Sequence, residues 1–119
     1  MPSETRHVRA AQSNEALAVA LIESHRSSSW AVVLSFYSAL HWVDSFLARS
    51  AIHPKSHGER EPFIKNTQLR PIFDAYRLLS SRSRDTRYEL RNFTEAEARG
   101  FISEELTEIK AHVQRLLAS

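Results

Sequence analysis

SWAVVLSFYSALHWVDSFLARSA, residues 29–51, is the stretch that decides the fold. Trp30, Val33, Leu34, Tyr37, Leu40 and Leu47 recur at three- and four-residue steps, the period of an α-helix. Phe36, Val43 and Phe46 fall on its other faces, so the helix is apolar most of the way round. Such a helix lies at the centre of a bundle or against a second subunit. Ser35, Ser38, His41 and Asp44 interrupt the apolar run, which argues for a buried helix and against a membrane span.

Working outward, residues 5–24 form a first helix with Val8, Ala11, Leu17, Ala18, Leu21 and Ile22 on its apolar side. Its polar beginning is expected to fray. The serines at 27–29 make a turn with an N-cap for the second helix. Residues 52–67, punctuated by Pro54, Gly58 and Pro62, read as a connection in which Ser56 caps a short turn starting at His57. A third helix over residues 68–90 has Pro71 in its first turn and the stripe Leu69, Ile72, Phe73, Tyr76, Leu79. Beyond it, SSRSRDTRY (80–88) is polar and is expected to bend or loosen the helix. Thr94 and Glu97 form a capping box for the last helix, followed by Ala98, Phe101, Ile102, Leu106 (or Glu105), Ile109, Val113, Leu116 and Leu117.

The pattern predicts an all-α, antiparallel four-to-five-helix up-and-down bundle, one domain over residues 1–119 with its core at about 15–117. Only two glycines and four prolines in 119 residues agree with helix over sheet. The absence of cysteine excludes disulfides and thiolate zinc sites, and with a polar start it leads to the expectation of a soluble, cytoplasmic protein outside any membrane. The net charge of +2 conceals a local excess: residues 49–91 hold ten Arg or Lys against five Asp or Glu, between two mildly acidic flanks. A basic segment placed this way suits an anionic partner.

The order of features resembles the HEPN superfamily of small helical-bundle domains. The matching pieces are FYSALHWVDSFLA (36–48), HPKSHGER (53–60), L-x-x-I-x-x-x-Y-x-x-L (69–79), SRDTRYE (83–89) and the final L-x-x-I-K (106–110). They span about residues 15–117. The resemblance implies a toxin–antitoxin or phage-defence setting, a homodimer, and a nucleotidyltransferase or other protein as a possible cognate partner. One departure stands against the family's ribonuclease motif, an arginine, a short spacer and a histidine. None of the six histidines has an arginine five to seven positions before it. Arg91-Asn92 resembles the start of that motif, but residues 96–98 are Ala, Glu and Ala.

Two constellations remain. Arg84, Arg87, Tyr88 and Arg91 stand at i, i+3, i+4 and i+7 and would share one helix face. Arginine forks match phosphate oxygens, and a neighbouring tyrosine stacks on a base, so this is a candidate RNA or nucleotide-phosphate surface. The structural alternative pairs Arg84 or Arg87 with Asp44, Asp74, Asp85 or Glu59. His57 with Arg60 forms the second constellation, a general acid or base beside a cation, which are ingredients of a metal-independent endoribonuclease. Its plainer alternative is a turn cap and a surface ion pair. A metal site is not expected, because Pro54 and Gly58 break up the spacing of His53, His57, Glu59 and Glu61, and no cofactor motif is present. His41 and Asp44, one turn apart, read as a buried polar pair.

The expected function is therefore a nucleic-acid-associated accessory or effector domain that uses Arg84, Arg87, Tyr88 and Arg91. The alternatives are an atypical ribonuclease using His57 with Arg60, Arg84 and Arg87, and a protein-interaction subunit with structural arginines. Burial of the arginines against carboxylates favours the last, an exposed Arg/Tyr patch favours binding, and a cleft joining His57 to the arginines favours the nuclease.

Overall fold

Ser3, Ser27, Ser56 and Thr94 each stand just before a helix, and each hydroxyl accepts a hydrogen bond from the amide three residues on. These caps satisfy amides that have no carbonyl partner inside the helix, and so fix where each helix begins. A computed structural model describes residues 1–119 as α1 (Glu4–Glu23), α2 (Ser28–Ala48), α3 (His57–Lys65), α4 (Phe73–Glu89), α5 (Glu95–Phe101) and α6 (Thr107–Leu117), with no strand. A 3₁₀ turn, Arg70–Ile72, leads into α4, and a π turn, Ile102–Leu106, joins α5 to α6 as one bent rod.

Cross-contacts set the directions. The Ser38 hydroxyl donates to the Ala11 carbonyl at 2.7 Å, and Arg49 at the end of α2 pairs with Glu4 at the start of α1 at 2.9 Å, so the two run antiparallel. Tyr37 of α2 meets Arg87 in the last turn of α4, and Lys110 of α6 reaches back to Glu15 of α1 at 3.3 Å. Alternating directions make an up-and-down bundle of four long rods, with α3 packed across the α2–α4 connection.

α2 is the axis, packed against α1, α4, α5 and α6. Fourteen of its 21 residues are buried, Phe36, Trp42, Val43 and Leu47 among them. Its length and apolarity would also suit a membrane span, but here those faces are consumed by the bundle. The apolar excess that suggested a subunit interface is covered within the chain. Trp30, placed in the core stripe by its spacing, is instead 53 % exposed, beside the last turn of α4. Leu17 of α1 is likewise exposed.

Three further expectations are corrected. The start of α1 is tied down by the Ser3 cap and the Glu4–Arg49 pair. The connection holds a nine-residue helix, α3, where a single turn was expected. α4 does not loosen beyond Ser80, because its inward stripe continues through Leu79, Ser83 and Thr86 at helical spacing. The π turn settles the ambiguity between Glu105 and Leu106: its wider turn brings Leu106 inward in line with Ala98, Ile109 and Val113, all buried.

Two polar pairs lie within the fold, one buried and one partly buried. Arg60 of α3 grips Asp44 of α2 in a two-point fork, Nε–Oδ1 2.8 Å and Nη2–Oδ2 3.0 Å, with both side chains buried. The carbonyls of Pro54 and Ser56 approach the same guanidinium at 3.4 and 3.5 Å. Tyr76 is buried beside it, and burial pushes its hydroxyl pKa up to about 12. Nearby, the Nδ1 atoms of His7 and His41 lie 3.0 Å apart, a hydrogen bond that requires one ring to donate and the other to accept. Burial holds both rings below the ordinary 6.5, opposed by Asp44 and reinforced by Arg60, with His41 and His53 adding to the effect on His7.

Removing one member of the buried fork, as in Asp44→Ala, is expected to cost about 3–5 kcal/mol by denaturant titration, whereas Asp44→Leu with Arg60→Met should cost much less. Equal losses from the single and double variants would contradict the fork's role. For the histidines, the unfolded chain binds protons below 6.5 that the folded pair refuses, so stability should be full above 6.5 and decline as pH falls toward the lower folded values. Thermal melts of the parent should show this decline, and His7→Gln should flatten it; an unchanged slope would refute the assignment.

Candidate nucleic-acid interface

The arginines of α4 outnumber the carboxylates within their reach. Arg82 and Arg91 share the Oδ2 atom of Asp85, each at 3.3 Å. Arg87 donates to the Tyr37 hydroxyl at 3.0 Å and lies against the rings of Tyr37 and Tyr88, 5.6 and 5.1 Å from their centroids. Arg84 is exposed and makes no ion pair or hydrogen bond, and Tyr88 beside it is 69 % exposed. Arg77, seven residues before Arg84 and on the same face, is also exposed and rests on Phe73, 5.7 Å from the ring centroid. The flank of α4 thus presents guanidinium groups held by aromatic rings, an arrangement suited to phosphates and unstacked bases.

Arg91 does not share the helix face. α4 ends at Glu89; Leu90 takes a left-handed conformation (φ 56°), and the amides of Leu90 and Arg91 both donate to the Asp85 carbonyl. The chain therefore turns, and Arg91 stacks over Phe93 at 4.6 Å at the bundle's end. There it borders a concavity of about 410 Å³ with Ser29, Trp30, Thr86, Arg87 and Asn92. Trp30 and Thr86 were missed by sequence reasoning because one has core spacing and the other sits in a polar run. The signal that could have found Trp30 is its place in the first turn after a serine cap.

Arg60 and His57 part company. Arg60 turns inward to Asp44, which takes neither Arg84 nor Arg87 as partner. His57, one turn earlier on α3, lines a cavity of about 180 Å³ with Glu61, Arg77, Ser80, Ser81 and Arg84. The chain folds back on itself far enough to bring His57 and Arg84 together without a second subunit. The His57 ring lies 5.5 Å from Phe36, with its Nδ1 buried and without a hydrogen-bond partner. Burial lowers its pKa, helped by Arg60, Arg87 and Arg84 and opposed by Glu61, which favours the neutral ring. A larger concavity of about 480 Å³ at the far end of α4 joins Lys65 and Arg70 to Asp74, whose carboxylate offsets them.

Compared with protein-family models, curated proteins and solved structures, the chain matches none of them.

In an NMR titration the His57 ring should show a midpoint below 6.5, and Arg84→Ala should raise it by removing a nearby positive charge. A midpoint at or above 6.5 would contradict the ring's burial and cationic surroundings.

Proposed function

We propose that this protein is a nucleic-acid-associated helical bundle that binds RNA or nucleotide phosphates along the flank of α4. The observation that carries the reading is the shortage of ion pairs: Asp85 serves Arg82 and Arg91, while Arg77 and Arg84 are exposed and form none, although Glu61 borders the same cavity. Structural arginines would be buried against acids, and among the residues at issue only Arg60 is. Tyr88 and Trp30 add exposed aromatic faces at the same edge. The resemblance to HEPN domains suggests an accessory or effector role in a toxin–antitoxin or phage-defence system, as a homodimer or beside a nucleotidyltransferase or other cognate protein.

A second reading, a metal-independent ribonuclease, is favoured by one observation. His57 and Arg84 line one cavity, which sets an imidazole whose burial favours the neutral form near a guanidinium that makes no ion pair. In that reading Arg60 acts only through its hold on Asp44 and α3.

The deciding experiment mixes purified protein with single-stranded RNA in EDTA and follows both binding and cleavage. Binding without cleavage is expected, with a log–log salt slope of about −2 to −3 for three or four neutralised phosphates. Arg77→Ala with Arg84→Ala should shallow that slope and weaken binding. Cleavage abolished by His57→Ala would install the ribonuclease reading instead, and the absence of both activities would leave neither.

A further inference from the structure

We propose that the concavity at the bundle's end is a seat for a terminal phosphate monoester of an RNA strand, with the terminal base stacked on Trp30. This deepens the reading of the α4 flank and rests on it, because it takes the bound molecule to be RNA.

Three independent features converge on the seat. First, the N-terminus of α2 opens onto it through Ser29, and the first turn of this 21-residue helix carries no acidic residue. Ser27 already accepts from the Trp30 and Ala31 amides, which leaves those of Ser28 and Ser29 at the positive end of the helix dipole, a place that ordinarily attracts an acidic side chain. Second, the charged residues lining the concavity are both arginines, Arg87 and Arg91. Arg87 is held by Tyr37, and Arg91 by Phe93 and by one 3.3 Å contact to Asp85, so both forks are already oriented before a ligand arrives. Third, Thr86 lines the same concavity, is only 9 % exposed, and its hydroxyl has no hydrogen-bond partner. An unpaired buried hydroxyl is costly, and a rotation of the Thr86 side chain that turned this closed-off oxygen into the concavity would give it an acceptor oxygen of the ligand.

The chemistry favours a strand end over an internal phosphate. A phosphate monoester offers three acceptor oxygens and a charge of about −1.5 to −2 near neutral pH. An internal phosphodiester has a single charge and a sugar on either side, which fits an open flank better than a concavity at the end of a bundle. Trp30, 53 % exposed at the rim, supplies an indole face for the base attached to the bound phosphate. From the seat, Arg87, Tyr88 and Arg84 lead along α4, so the remainder of the strand would follow the flank already described.

The test compares one short oligoribonucleotide in three forms: 5′-phosphorylated, 3′-phosphorylated, and hydroxyl at both ends. One phosphorylated form should bind at least about tenfold more tightly than the hydroxyl form, the value of one or two charge-assisted hydrogen bonds, and which form it is identifies the strand end. Thr86→Val should reduce that preference while melting no lower than the parent, because it removes an unpaired hydroxyl without changing shape. Arg91→Ala should reduce it as well, whereas Arg77→Ala with Arg84→Ala should weaken all three forms alike and leave the ratio intact. Equal, salt-sensitive binding of the three forms overturns the seat and leaves the flank reading standing. A preference that survives both Thr86→Val and Arg91→Ala overturns the seat too. Failure of every form to bind overturns the flank reading and the seat with it.

Discussion

The fork between Arg60 and Asp44 is the contact on which the placement of the surface chemistry depends. α3 is a nine-residue helix with Pro62 inside it and only Arg60 and Ile64 buried, too short to hold itself in place by packing alone. A guanidinium planted in the centre of the bundle, satisfied by both oxygens of one carboxylate, fixes its rotation about the core. Ions are expensive to bury, so a pair of this kind does more for uniqueness than for stability. Here uniqueness has a definite content: with Arg60 turned in, His57 one turn away is directed toward α4 and Arg84.

The same economy of charge shapes α4. Its inner stripe passes from Ile72, Tyr76 and Leu79 to Ser83 and Thr86, so the helix stays against the bundle while its apolar surface shrinks. The outer face then carries arginines for which the fold supplies few acids. Aromatic rings take over as supports, Tyr37 and Tyr88 for Arg87 and Phe93 for Arg91. A ring orients a guanidinium without neutralising it, which keeps the positive potential available at the surface.

The architecture was legible in the sequence wherever one local rule acted alone. Ser27, Ser56 and Thr94 gave their caps, and Phe36 to Leu47 gave the buried axis, because hydrophobic period and cap chemistry point the same way. Reading failed where two rules compete. Trp30 has the spacing of a core residue but lies exposed in the first turn of α2. Arg91 has the spacing of a helix face but lies beyond a left-handed leucine that no glycine or asparagine announces. Of the proposed surface, Arg84, Arg87 and Tyr88 do lie on α4, whereas the inward turn of Arg60 depended on a carboxylate sixteen residues away that several arginines could equally have claimed. Long-range pairing of this sort leaves no periodic trace in a sequence.

The π turn between α5 and α6 has a consequence for how the chain's length is allowed to vary. From Ile102 to Leu106 the rod carries one residue more than a regular helix would need to keep Ala98 on one side and Ile109 and Val113 on the other facing inward. Elsewhere in the rod, losing a residue would swing everything beyond it off the core by about a hundred degrees, the angular step of a helical residue. Within this turn, losing one only tightens it into an ordinary α-turn. The last helix therefore has a built-in place where descendants of this sequence could grow shorter by one residue while their interiors stay in register.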